Sequence, residues 1–211
     1  NEHQILLNKV ENSPKPKWTY LSNRRLQNWG GLPHAKGMMK EPLPIWLEIY
    51  CKKLAVANVF DGHIPNHILI NEYLPGQGIM PHEDGSLFYP TVATVNLGSH
   101  SVVNFYKKGE TQELVPDYLT EDNAGDYMNN KQILFSLLVQ PRSLLILKED
   151  AYKNYMHGIQ EISKDLIDDS IANLGQTGIS LNDTLERKTR ISLTIRYVPK
   201  VFKTTLSLFK K

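Results

Sequence analysis

The sequence predicts a mainly β fold, a sandwich or jelly roll, with helices flanking it. Three observations lead there. Short apolar and β-branched runs recur at 67–73, 79–82, 91–97, 101–106, 133–139, 143–148, 152–157 and 190–197, with Gly and Pro between them. The run at 190–197 alternates strictly, with Arg190, Ser192, Thr194 and Arg196 on one face and Ile191, Leu193, Ile195 and Tyr197 on the other. The chain has 211 residues, 41% of them apolar and 22% charged, which suits one ordinary globular domain able to build a core of its own.

Residues 1–211 are therefore read as a single domain with an N-terminal helical and substrate-lid part (1–60) and a β core (61–199). In the first part, Ile5, Leu6 and Val10 have partial helical spacing, so residues 1–12 carry a helix. Residues 13–44 read as loop, because Pro14, Pro16, Pro33, Pro42, Pro44 and the Gly30-Gly31 pair interrupt them. Trp46, Leu47, Ile49, Tyr50 and Leu54 mark an amphipathic helix over 45–59. Within the core, 107–131 and 160–188 are polar stretches read as surface insertions with little strand character.

Charge and cysteine content narrow the setting. The 24 basic and 22 acidic residues leave +2, too mild by itself to establish a nucleic-acid partner. The single cysteine, Cys51, allows no internal disulfide and is read as a buried apolar residue. No apolar run approaches the roughly 18 residues of a membrane span, and no signal-peptide pattern is present. The expectation is a protein of the cytoplasm and nucleus, off the membrane, and a monomer.

The chemistry sits in two constellations. His82-Glu83-Asp84 follows a predicted strand; on extended backbone His82 and Asp84 point one way and Glu83 the other. A third ligand is supplied by His157, which ends a β-rich run just before Gly158. Two imidazoles and a carboxylate on one side of an ion suit ferrous iron and leave positions open for a keto acid and O2. Zinc also accepts such a set, but the His-Glu-x-x-His helix that usually carries it is absent. Alone, His-x-Asp also fits a surface turn. His3, His34, His63, His67 and His100 lack an acidic partner at strand spacing and read as structural or exposed.

The second constellation is the polar face of 190–197. It is either a solvated face or a pair of arginines aimed into a cavity to clamp a dicarboxylate, for which the guanidinium fork is suited. Asn71 and Tyr73, two apart on another strand, offer an amide and a phenol to orient an oxygen-rich ligand.

Taken together these residues resemble the AlkB family of 2-oxoglutarate-dependent dioxygenases. The motifs are Asn71-Glu72-Tyr73 with Pro75-Gly76, His82-Glu83-Asp84, Leu97-Gly98-Ser99, Tyr155-Met156-His157-Gly158, and Arg190 with Arg196 after five intervening residues. The resemblance spans most of the chain and implies a double-stranded β-helix core, a jelly roll. It implies that His82, Asp84 and His157 hold Fe(II), and that Arg190 binds the distal carboxylate of 2-oxoglutarate with Tyr73 assisting. Arg196 and Asn71 would lie near the chelating end. The bacterial pattern has Asn two residues after the first arginine; here Ser192 stands there. The implied reaction consumes O2 and 2-oxoglutarate, releases succinate and CO2, and hydroxylates an alkyl group; a hydroxymethyl on nitrogen then leaves as formaldehyde.

In AlkB-like enzymes the segment before the core covers the substrate. Here Trp18, Tyr20 and Trp29 are interleaved with Arg24 and Arg25, able to stack a base and hold phosphates. The bland alternative is that the tryptophans anchor the segment and the charges face water. Asn96 and Ser99 follow a core strand and are expected at the substrate pocket. The partner read from this is single-stranded or flipped-out alkylated nucleic acid. A protein side chain as substrate, and a catalytically weak scaffold with protein partners, stay open.

Overall fold

The computed structural model describes residues 1–108 and 132–202. It opens with helix α1 (Glu2–Glu11), whose N-terminus is capped by the Asn1 side chain accepting from the His3 amide at 3.1 Å. Four short strands follow, β1 (Trp18–Leu21), β2 (Arg24–Trp29), β3 (Gly31–His34) and β4 (Gly37–Lys40), then helix α2 (Ile45–Val56). The core strands are β5 (His67–Tyr73), β6 (Ile79–His82), β7 (Thr91–Leu97), β8 (Ser101–Lys107), β9 (Ile133–Val139) and β10 (Leu144–Lys148). After a one-turn helix, α3 (Glu149–Lys153), come β11 (Tyr155–Ile159), β12 (Lys164–Leu166), β13 (Thr184–Glu186), β14 (Arg190–Arg196) and β15 (Val201–Phe202).

Two antiparallel sheets form the jelly roll. The larger runs β1-β2-β5-β14-β7-β10 and the smaller β6-β11-β8-β9. The outer face of the larger sheet buries Ile68, Ile70, Ile191, Leu193 and Ile195 against Leu6 and Val10 of α1 and Leu47, Cys51 and Leu54 of α2. This is the apolar half of the alternation at 190–197 meeting the i, i+4, i+7 stripe of α2. The polar half of β14 faces inward, between the sheets. Burial pushes the Cys51 thiol up to about 12, so it stays protonated and inert.

The structure departs from the sequence reading in three places. Residues 13–44 are four strands rather than loop, and β2 belongs to the main sheet, paired antiparallel with β5 from Arg25↔Glu72 to Trp29↔Ile68. The prolines avoid β2, and Pro33 sits in β3, an edge strand where no donor is missed. The run 152–157 is divided between the end of α3 and the start of β11. The stretch 160–188 carries the β12–β13 ribbon and buries Ile167 and Ile171 against Leu138 of β9, so it has a small core of its own. Of the other expected insertion, 109–131 lies outside the described residues. Among the described residues no helix is long and apolar enough to cross a membrane.

Candidate active site

A cavity of about 170 Å³ lies between the two sheets. Register explains who lines it. In β14, Arg190 lies opposite Tyr73 of β5 and Ser192 opposite Asn71, so the four side chains share the inward face. Across the cavity, β6 and β11 pair with His82 directly beside His157. Gly158 makes that closeness possible: a Cβ there would come within 2.9 Å of the Pro81 backbone nitrogen. All of Asn71, Tyr73, His82, Asp84, His157, Arg190, Ser192 and Arg196 border the cavity.

The two imidazole rings are 4.5 Å apart between centroids. The Asp84 side chain is 2% exposed, with Oδ2 3.9 Å from His157 Nε2. Its other oxygen, Oδ1, faces the Arg196 guanidinium in a tight ion contact but has no well-directed hydrogen-bond donor. His82 Nδ1 lies 2.9 Å from the Met80 carbonyl, which fixes a proton on that nitrogen and leaves Nε2 free to ligate. Burial holds both imidazoles neutral, His157 down at about 4 with His82 adding to the effect, and His82 below its ordinary value. Glu83 points away and pairs with Lys108 at 2.7 Å. The loop after Asp84 is pinned by Tyr152 of α3, whose hydroxyl donates to the Gly85 carbonyl at 2.8 Å.

The donor set fits a divalent cation. Two neutral imidazoles and a buried carboxylate with an orphaned oxygen are what such an ion takes, and bonds of about 2 Å from each side span a gap of this size. Among the described residues, however, no three His, Cys, Asp or Glu side chains are closed into a finished cage.

Arg190 is fully buried, and burial brings its guanidinium down to about 10. Its Nη2 donates to the neutral Asn96 Oδ1 at 2.6 Å, its charged centre is 5.5 Å from the Tyr73 ring, and Nε has no partner. Among the described residues this buried cation meets no carboxylate, a costly arrangement unless an anion arrives.

The remaining sequence candidates are spread differently. Arg24 borders the cavity, with Nε donating to Asn71 Oδ1 at 3.1 Å. Arg25 is on the opposite face of β2, held by Glu72 at 2.6 and 2.8 Å and stacked 4.1 Å over Trp18. Trp29 packs edge-on to Trp46 and donates to Gln27; Trp18 also lies against the helix-covered core. Tyr20 is 71% exposed on the β1–β2 hairpin. Asn96 and Ser99 are buried outside the cavity lining, Asn96 behind Arg190 and Ser99 accepting from the Lys188 amide. Sequence reasoning passed over His67, which is buried on the inward face of β5 opposite Arg196. Burial first, then Arg196, holds its imidazole down at about 3, and its Nδ1 has no partner. Its spacing of two, four and six residues from Leu69, Asn71 and Tyr73 was the available signal.

One cavity in the jelly roll thus joins two histidines and an aspartate on one wall to a buried arginine on the other. The model of the 2OG-Fe(II) oxygenase superfamily matches residues 6–196, and the chain belongs to that family. It is a dioxygenase that uses Fe(II), 2-oxoglutarate and O2. Among relatives, the chain is 49% identical over 210 residues to the probable RNA/DNA demethylase ALKBH6 of Danio rerio, covering 100% of this chain and 86% of that one. It is 27% identical over 206 residues to the uncharacterized protein L905 of Acanthamoeba polyphaga mimivirus, covering 95% and 80%. The solved structure of OsALKBH1 superposes with a TM-score of 0.52 at 11% identity, covering 92% and 91%, which speaks for the fold.

Proposed function

We propose that this dioxygenase removes alkyl groups from nucleic-acid bases by oxidation. The observation that carries the catalytic assignment is the convergence of His82, Asp84 and His157 on one side of a cavity whose other wall holds Arg190. In this reading the three hold Fe(II), which when bound supplies the activation of O2 coupled to conversion of 2-oxoglutarate into succinate and CO2. Arg190 takes the distal carboxylate, with the Tyr73 hydroxyl beside it. Asn71, oriented by Arg24, and Ser192 face the rest of the keto acid. Arg196 restrains Asp84 and lies 4.6 Å over the Phe88 ring. The hydroxymethyl product on nitrogen then leaves as formaldehyde.

Nucleic acid as substrate is supported by the likeness to the Danio rerio protein and by Arg24, which faces no carboxylate among the described residues. A base must leave its stack to reach so enclosed a site. The test is succinate and formaldehyde release with Fe(II), 2-oxoglutarate and O2, with and without methylated single-stranded oligonucleotides. Stimulated release, lost in folded His82→Ala and Asp84→Ala variants, is expected. Slow release that no oligonucleotide stimulates but a protein substrate does would reject the nucleic-acid reading. Full turnover in both variants would reject the metal assignment.

A further inference from the structure

Arg190 is held by an amide, and the amide is itself held. Asn96 is 0% exposed on β7, directly opposite Ser192 of β14. Its Nδ2 donates to Ser143 Oγ at 3.1 Å, to the Thr94 carbonyl at 3.3 Å and to the Ser143 carbonyl at 3.5 Å. The Ser143 hydroxyl spends its proton on the Gln140 carbonyl at 2.6 Å, so toward Asn96 it can only accept. These acceptors settle which way the amide points: nitrogen toward Ser143, oxygen toward Arg190. The backbone repeats the tie. The Asn96 amide donates to the Ser143 carbonyl at 3.0 Å, and the Arg142 amide donates to the Asn96 carbonyl at 2.6 Å from a left-handed turn residue, φ 71°.

We propose that Asn96 and Ser143 are the positioning pair that aims Arg190 and keeps its charge available for the cosubstrate. The inference rests on the reading of Arg190 as the distal-carboxylate site. Its logic is electrostatic. A carboxylate at position 96 would hold the guanidinium as firmly but would neutralise it, as Glu72 does for Arg25. An apolar residue would leave the guanidinium without a fixed direction. A neutral acceptor does both jobs. Asn96 thus holds Arg190 from the neighbouring strand, directly across from Ser192 and behind the cavity wall.

The experiment is anaerobic titration of the Mn(II)-loaded protein with 2-oxoglutarate, for the wild type, Arg190→Met, Asn96→Asp and Ser143→Ala, with Mn(II) affinity measured in parallel. Asn96→Asp should weaken 2-oxoglutarate by about 30-fold or more, since an internal anion then competes for the guanidinium. Ser143→Ala should weaken it by about 3-fold, the effect of one neutral hydrogen bond, and raise KM while leaving kcat in place. Mn(II) affinity should hold in both, which general loosening of the fold would not allow. Should Asn96→Asp fail to fold, Ser143→Ala decides. If Arg190→Met weakens binding but neither variant at 96 or 143 does, the pair is only structural and the proposal falls alone. If Arg190→Met, or the wild type itself, shows that Arg190 binds no cosubstrate, the reading of the site falls with it.

Discussion

Two buried arginines three residues apart, Arg187 and Arg190, live in opposite circumstances. Arg187 is saturated: Nε and Nη2 donate to Asp165 at 2.7 and 2.6 Å, and Nη1 donates to the Gln160 carbonyl at 2.7 Å. His100 closes the cluster at 3.1 Å from the same carboxylate. Burial pushes the Asp165 carboxyl up, but the Arg187 and His100 hydrogen bonds together outweigh it and hold it low. Arg190 meets a neutral amide and keeps a free Nε. A saturated buried charge closes the 160–188 segment on itself, and His100 ties that cluster to the start of β8. An unsaturated one is, in the proposed function, the group that takes the cosubstrate carboxylate.

The largest effects should separate the two. Arg190→Met should weaken 2-oxoglutarate binding by about 2–5 kcal/mol, while thermal stability holds or rises because an uncompensated buried charge is gone. Arg187→Met should do the reverse. It strands Asp165 and should cost about 3–5 kcal/mol of stability, with cosubstrate affinity retained in the folded fraction. Calorimetry and denaturant titration read both. Equal loss of stability in the two variants would erase the distinction.

Acid should sharpen the contrast, because the clusters answer in different windows. His157 and His67 have folded values of about 4 and about 3 against an ordinary 6.5. Between those limits the unfolded chain binds protons that the folded chain refuses, so stability falls as pH drops below about 6.5. Asp165 is depressed from 3.8, so its contribution persists down to that region and is lost only as pH falls further, through the folded value. The metal-free protein should therefore show a falling Tm between pH 6.5 and pH 4, shallower in His67→Gln. The Arg187→Met variant should fall less steeply over that range, because burial then raises the stranded Asp165 carboxyl and the folded chain takes up a proton there.

How much of this could be read in the sequence follows from range. Asn71 with Tyr73, and Arg190 with Arg196, are pairs on single strands, where a period of two alone gives a shared face; His82 ends β6 and Asp84 follows two residues on, near enough for the same spacing to bring both to the cavity. The apolar half of β14 was legible for the same reason. What escaped depends on register between distant strands. Nothing local shows that 24–29 is a strand of the main sheet, nor which of Arg24 and Arg25 faces the cavity; that follows from β2 pairing with β5, 47 residues away. Asn96 was expected at the substrate pocket, and only its register opposite Ser192 puts it behind Arg190. Residues 160–188 read as loop because their buried groups, Asp165, Ile167, Ile171 and Arg187, follow neither period; they are collected by packing on β9 and by one ion pair.

The β1–β2 hairpin repeats the comparison at smaller scale, and there the effects should be smallest. Arg25 is saturated by Glu72 yet partly exposed, its side chain 31% and that of Glu72 13% accessible, so solvent screens the pair. Arg25→Met should lower stability by about 1 kcal/mol or less and leave oligonucleotide binding alone. Arg24 borders the cavity with no carboxylate against it among the described residues. Arg24→Met should leave stability unchanged, weaken single-stranded oligonucleotide binding, and reduce the salt dependence of that binding by about one counterion. Fluorescence titrations at several salt concentrations would show it. If the two variants bound oligonucleotides alike, an unsaturated arginine would not by itself mark where a ligand lands, and the contrast between Arg187 and Arg190 would have to rest on the metal and cosubstrate measurements alone.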